Sequence, residues 1–192
     1  MKYYTGLGDK KYSVVGDGKV SKSDGLLDAI GNIDELNSKI GTLIALIKLD
    51  GNKDIYKLKE FSIIDALLDV QSKLFIINAE LISKINIMFK PKRPICEDDT
   101  KKLEYEIGTI SKLFPELKSF VLPGGRLQAS LSDEVRTMVR RCERSVVKQS
   151  NFIKISNPSV FSYLNRLSSL FFVLGMYINY MEGEKQNAPN YD

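Results

Sequence analysis

Arg136, Arg140, Glu143 and Arg144 fall at i, i+4, i+7 and i+8 in the run LSDEVRTMVRRCERSVVKQ. At about 100° per residue, that spacing gathers four charged side chains on one arc of a helix. Guanidinium groups held this close repel one another unless an anion neutralises them. A polyphosphate suits the spacing, because each guanidinium can engage phosphate oxygens in bidentate fashion. A solvated arginine face with a local Glu–Arg pair fits the same pattern, since charge runs commonly face water. An adjoining arc of the segment is apolar: Leu131, Val135, Met138, Val139, Cys142 and Val146 recur at helical spacing. Just upstream, Pro123 fixes φ and Gly124 and Gly125 permit φ > 0, so the chain can turn sharply before the helix begins.

Composition narrows the chemistry. The chain of 192 residues contains no histidine. It therefore lacks the usual general base near neutral pH and the commonest metal ligand, and Ser–His–Asp or Cys–His catalysis is excluded. Any reaction must rest on positioning, electrostatics or a cofactor. The hydrophobic fraction is 43% and the charged fraction 27%, values of an ordinary globular domain. Net charge is +4, too mild for a nucleic-acid footprint but consistent with a basic pocket for an anionic small molecule. Cys96 and Cys142 lie far apart, and Cys142, on the apolar arc, reads as a buried small hydrophobe. The N-terminus MKYYTGLGDKK has no apolar core of a signal peptide, and no stretch approaches the ~18 apolar residues of a membrane span. The expected location is the cytoplasm.

The elements that must carry the arc are helical. Residues 1–24 are rich in Gly, Lys, Ser and Asp and read as a loop whose backbone N–H groups and lysines can cradle phosphate, or as a flexible terminus. A first helix is expected over 25–48, with Leu36, Ile40, Leu43, Ile44 and Ile47 as its stripe. A second is expected over 55–85, a third over 97–113 ending before Pro115, and a fourth over 127–149. Asn157-Pro158 opens a fifth that runs to Met181. No strand pattern is evident. The sum is an all-α protein: a five-helix bundle with ferritin-like up-down packing and an irregular N-terminal loop. It is expected to form a single domain over 1–192, made of the loop 1–24, the bundle 25–182 and a tail 183–192.

Three blocks together resemble the PduO-type ATP:cob(I)alamin adenosyltransferases. The first is YTGLGDK with VSKSD downstream and then GNIDELNS; the second is FVLPGG followed by R-x3-RR-x-ER; the third is YLNRLSSLFF. They run from Tyr4 to about Gly175, nearly the whole chain. The resemblance implies transfer of the 5′-deoxyadenosyl group of ATP to cobalt(I) of a corrinoid, giving adenosylcobalamin and triphosphate, with Mg²⁺ assisting. It implies nucleotide contacts from Thr5, Gly6, Leu7, Gly8, Asp9, Ser13 and Lys22 in the N-terminal block. Further contacts would come from Arg140, Arg141, Glu143, Arg144 and Asn165. It assigns catalytic roles to Arg136, Arg140, Asp34 and Phe120. Asp34 would pair with Arg136 and hold its rotamer. Phe120 would crowd the lower face of the corrin, exclude the lower axial ligand and ease reduction to cobalt(I). The metal ligands are left open.

The same resemblance implies a homotrimer with ATP between subunits, a reductase that supplies cobalt(I), and an adenosylcobalamin-dependent enzyme that takes the product. No nucleic-acid or membrane partner is implied. Two departures stand out: Lys11 replaces the usual glycine, and Ser169 stands where many relatives carry aspartate. A corrinoid- or nucleotide-binding carrier without turnover is the alternative that these departures favour. A helical scaffold with a solvated basic face is the other.

Overall fold

The computed structural model describes residues 3–15, 18–153, 155 and 157–191. Parts of the expected loop 1–24 (Met1, Lys2, Gly16 and Asp17) and of the expected tail (Asp192) lie outside the described residues. Five α-helices make up most of the chain: α1 Gly25–Leu49, α2 Ile63–Ile82, α3 Glu97–Ser111, α4 Leu127–Ser150 and α5 Pro158–Met181. Three of them, α1, α2 and α5, begin at a residue whose side chain caps the first turn. Asp24 accepts from the Leu26 N–H at 2.8 Å to start α1, and Asn157 accepts from the Ser159 N–H at 3.1 Å ahead of Pro158 to start α5.

α1 packs on α2 and α4, α4 packs on α5, and α5 packs on α3. Cross-links fix the directions. Asn32 meets Cys142 and Asp50 meets Gln128, so α1 and α4 are antiparallel. Glu143 meets Asn165 and Arg126 meets Asn179, so α4 and α5 are antiparallel as well. The stripes expected for the first and fourth helices contribute to one continuous core, including Leu36, Ile40, Leu43, Val135, Val139 and Cys142, whereas Leu68 and Phe75, expected on the stripe of the second, are exposed. Among the described residues no helix is long and apolar enough to cross a membrane.

Two expectations are corrected. The N-terminal stretch contains a hairpin: β1 Tyr12–Val15 pairs antiparallel with β2 Gly18–Ser21, with Ser13 opposite Val20 and Val14 opposite Lys19. Its β-branched residues number few and alternate with Ser and Lys, so the composition masks a strand of only four residues. The second helix begins at Ile63 rather than near 55. Residues Lys53–Tyr56 form a 3₁₀ turn instead, and the chain reverses through a Lys57–Ser62 bridge before Ser62 caps α2. Leu58 and Phe61 still pack on the core, which is why their spacing mimics the continuation of a helix.

α2 and α3 are joined by buried charge. Lys73 Nζ donates to Asp99 Oδ1 at 2.6 Å with both groups nearly solvent-free. Burial pushes the Asp99 carboxyl up, but the hydrogen bonds from Lys73 and from Cys96 outweigh it and hold the group below its ordinary value. Glu106 is buried on the same helix, with Lys102 Nζ 3.9 Å away. Burial pushes its carboxyl above the usual 4.5, against the pull of Lys102 and with help from Asp69. A carboxyl whose folded-state pKa is raised holds its proton more tightly in the folded chain, so ionising it opposes folding. The cost is absent below the unfolded value and grows as pH rises through the raised one. Glu106→Gln is therefore expected to melt like the parent near about pH 4 and above the parent near about pH 7. Melting curves that stay parallel across that range would contradict the assignment.

Candidate active site

The apolar face of α4 sets its rotation. Val135, Val139, Cys142 and Val146 are fully buried, which turns Arg136, Arg140 and Arg144 toward the opposite side. Arg136 is half-buried, and its Nε donates to Asp133 Oδ1 at 3.2 Å, one turn back on the same helix. Arg141 crosses to α1 and pairs with Glu35 at 2.5 Å. Arg140 and Arg144 are exposed, and among the described residues neither guanidinium has a hydrogen-bond or ion-pair partner. The arc thus holds one neutralised arginine, Arg136, and two that remain open to an anion, while Arg141 beside it is neutralised across the α1 seam.

Glu143 and Asn165 are brought together across the α4–α5 seam. Asn165 Nδ2 donates to Glu143 Oε1 at 3.0 Å. Its Oδ1 accepts from Arg166 at 2.9 Å, and Arg166 Nε in turn donates to Glu104 of α3 at 2.8 Å. Both ends of the Asn165 amide are therefore oriented before any ligand arrives, and its nitrogen is aimed by a carboxylate. Among the described residues no group of three or more His, Cys, Asp or Glu side chains could hold a metal ion.

Phe120 is 80% exposed and so is not a core residue. Together with Leu117, Val121, Arg136 and Phe172 it lines an open cavity of about 550 Å³. The cavity joins an aromatic floor to the first arginine of the arc. The turn that carries Phe120 uses Gly124 at φ 138° and Gly125 at φ 96°, conformations that side chains other than glycine rarely adopt. A residue that the sequence did not bring forward, Asn179 near the end of α5, holds this turn: its Oδ1 accepts from the Arg126 N–H at 3.0 Å and its Nδ2 donates to the Gly124 carbonyl at 2.9 Å. The available signal was a lone asparagine inside the apolar run VLGMYINYM.

The N-terminal residues gather around their own turn. Thr5 Oγ1 accepts from the Leu7 N–H at 3.4 Å, and the Asp9 N–H donates to the Gly6 carbonyl at 3.3 Å. The hairpin returns Lys22 to this turn, where its Nζ lies 3.2 Å from the place a Gly8 Cβ would occupy. A side chain at position 8 would displace the ammonium. Ser13 sits on β1 opposite Val20. Lys11 adopts φ 67°, a left-handed conformation that glycine takes far more readily than a residue with a side chain. Among the described residues no hydrogen bond or ion pair links this loop to Arg136, Arg140 or Arg144.

Asp34 is exposed on α1 and does not meet Arg136 within the protomer. The antiparallel register explains it. Glu35 stands level with Arg141, and Lys39 stands level with Glu134, 2.9 Å away. Asp34 is thus more than a helical turn from Arg136 along the seam, and Arg136 takes Asp133 instead.

The family model described as Cobalamin adenosyltransferase matches residues 3–178. The corrinoid adenosyltransferase of Bacillus subtilis (strain 168) is 36% identical over 183 residues, which is 95% of this chain and 89% of that protein. The corrinoid adenosyltransferase of Mycobacterium leprae (strain TN) is 34% identical over 186 residues, 92% of this chain and 90% of that protein. A variant PduO-type ATP:corrinoid adenosyltransferase from Lactobacillus reuteri, solved with cobalamin and ATP, superposes with a TM-score of 0.87 at 30% identity, covering 99% of this chain and 97% of that one. Another variant from the same organism, solved with ATP, gives a TM-score of 0.83 at 31% identity over 97% of this chain and 99% of that one. With sequence and fold agreeing along nearly the full length, this chain belongs to the cobalamin adenosyltransferase family.

Proposed function

We propose that the protein transfers the 5′-deoxyadenosyl group of ATP to cobalt(I) of a corrinoid, at a site built around the α4 arginine arc and the Phe120 cavity. The observation that carries the site is the pairing pattern of the arc: among the described residues Arg140 and Arg144 have no partner, while Arg136 lines a cavity together with the exposed ring of Phe120. The cobalt lone pair forms a bond to C5′, the C5′–O bond breaks, and its electron pair leaves on triphosphate. No proton moves in this step, which suits a chain without histidine. The corrinoid supplies the nucleophile, and the protein supplies orientation and charge. Charge builds on the departing triphosphate, so the open guanidiniums of Arg140 and Arg144, with Lys22, would act where the transition state needs them.

Asn165, held by Glu143, would orient the adenosine. Thr5, Gly6, Leu7, Gly8, Asp9 and Ser13 would wrap the phosphates with backbone N–H groups. Mg²⁺ keeps much of its water shell and binds through phosphates plus one or two carboxylates. Glu143 is the carboxylate in the arc that fits that description, and the ion would neutralise phosphate charge when bound. Phe120 would occupy the lower face of the corrin and keep a lower ligand away.

A homotrimer completes the site in this proposal. Among the described residues Asp34 has no side-chain partner within the protomer, and none of those in the N-terminal loop bonds to the arc. A neighbouring subunit could supply both, so that Asp34 of one copy holds Arg136 of the next. A reductase would deliver cobalt(I), an adenosylcobalamin-dependent enzyme would take the product, and the cytoplasm is the proposed location.

Adenosylation of chemically reduced cobalt(I) with ATP tests the function and separates it from a carrier, which would bind without turnover. Arg140→Ala is expected to lower turnover about 10²-fold or more with an unchanged melting temperature. Activity close to the parent would remove Arg140 from the mechanism. Asp34→Ala and Arg136→Ala should each impair turnover, and the double variant should be clearly non-additive; additive losses would dissolve the pair. Because Phe120 is exposed, Phe120→Ala should change stability by less than about 0.5 kcal/mol. Its activity starting from cobalt(II) with a reductase should collapse, while activity from pre-reduced cobalt(I) falls much less. Equal loss of both activities would argue against the lower-face role.

A further inference from the structure

We propose that Asn179 is a positioning residue for the reaction: by clamping the glycine turn, it fixes Phe120 over the cavity. The inference rests on the role given above to Phe120. The loop from Phe120 to Arg126 has little apolar anchorage of its own, since Phe120, Leu122 and Leu127 are all largely exposed. Gly124 and Gly125 have a wide choice of backbone conformations, so the turn does not define itself. Something outside the loop must select one conformation, and the end of α5 does so.

The Asn179 amide is 2% exposed and spends both of its ends on this turn, accepting from the Arg126 N–H and donating to the Gly124 carbonyl. A side chain at Gly125 would collide with that same amide, so the turn is shaped to lie directly against it. Two weaker ties flank the clamp. Arg126 pairs with Glu182 at 3.1 Å, and the Leu122 N–H donates to the Asn187 carbonyl at 2.8 Å as the chain folds back past Gly183. Ser130 Oγ also donates to the Gly125 carbonyl at 3.4 Å, while Phe120 itself faces solvent and the cavity. An aromatic ring that must exclude a ligand has to be in place before the corrinoid arrives, because ordering it during binding would take free energy from the exclusion.

The test compares four variants with the parent, each mixed with cobalt(II) corrinoid, ATP and Mg²⁺. The readouts are the fraction of four-coordinate cobalt(II), taken from its electron paramagnetic resonance spectrum, and the ratio of cobalt(II)-started to cobalt(I)-started activity. Asn179→Ala removes both bonds. Arg126→Pro removes the N–H from which Asn179 accepts, together with the ion pair to Glu182; Arg126 already has φ −60°, which suits proline. Arg126→Ala removes the ion pair to Glu182 and keeps the N–H. Phe120→Ala reports what loss of the ring itself does.

Asn179→Ala and Arg126→Pro are expected to reduce both readouts in the direction of Phe120→Ala, by about 5-fold or more, while Arg126→Ala stays close to the parent. Should Asn179→Ala fail to fold, Arg126→Pro carries the test with the buried amide still in place. Parental readouts in Arg126→Pro, with Phe120→Ala clearly reduced, would overturn the clamp. Parental readouts in Phe120→Ala would overturn the role of Phe120, and the clamp with it. A common drop of both activities that tracks melting temperature and leaves the four-coordinate fraction unchanged would reduce Asn179 to a structural residue.

Discussion

The burial of one face of α4 is the constraint on which the rest depends. Val135, Val139, Cys142 and Val146 have no exposure at all, wedged against α1 on one side and α5 on the other. Full burial of four such side chains contributes on the order of 1.5–3 kcal/mol each for the larger ones, far more than any surface contact of the arginines could repay if the helix rotated. Rotation about the helix axis is thus settled by the core, and the positions of the guanidiniums follow from it. Translation along the axis is settled at the two ends. Gln128 donates to Asp50 at 2.8 Å, and Tyr56 donates to the same carboxylate at 2.7 Å. The Asn52 N–H and the Tyr56 hydroxyl hold the Asp50 carboxyl below its ordinary value despite burial, so it remains an ionised anchor for the start of α4.

That placement also determines which arginines are free. The arginines of α4 carry more positive charge than a solvated helix needs, and the fold neutralises them selectively. Arg141 is taken by Glu35 and Arg136 by Asp133, each with a carboxylate at hydrogen-bonding distance. Arg140 and Arg144, one turn apart, are left with an unbalanced field. Two unpaired guanidiniums at that spacing match neighbouring phosphate groups better than a single carboxylate. A merely solvated basic face would have no reason to neutralise alternate members, so the selectivity weighs against the scaffold alternative.

The periodic parts of this arrangement were legible in the sequence. Asn157 caps α5 as expected, and the stripes of α1 and α4 reappear as core with little revision. What the sequence did not disclose depends on contacts between distant segments. Leu58 and Phe61 keep helical spacing, yet Tyr56 reaches Asp50 and diverts the chain into a turn before α2. The hairpin Tyr12–Val15 with Gly18–Ser21 is stabilised by pairing rather than by a hydrophobic stripe, so alternation alone does not announce it. Asn179 looked like an interior polar residue of an apolar helix, and only the fold places the glycine turn beneath its amide. Asp34 was tied to Arg136 by motif, but the register of two antiparallel helices decides distance, and it sets them apart within the protomer.

Lys11 joins the two ends of this argument. A residue with a side chain at φ 67° stores strain of roughly 1 kcal/mol relative to glycine, and the fold must hold it there. The Lys11 carbonyl accepts from the Lys22 N–H at 3.0 Å, the bond that closes the base of the hairpin and returns Lys22 toward Gly8. The strained residue therefore sits at the point that decides where the Lys22 ammonium goes. With lysine rather than glycine, the unfolded loop has fewer conformations to lose, which offsets part of the strain. The lysine also adds a cation to the loop that holds Lys22 beside Gly8, so the positive charge gathered there increases.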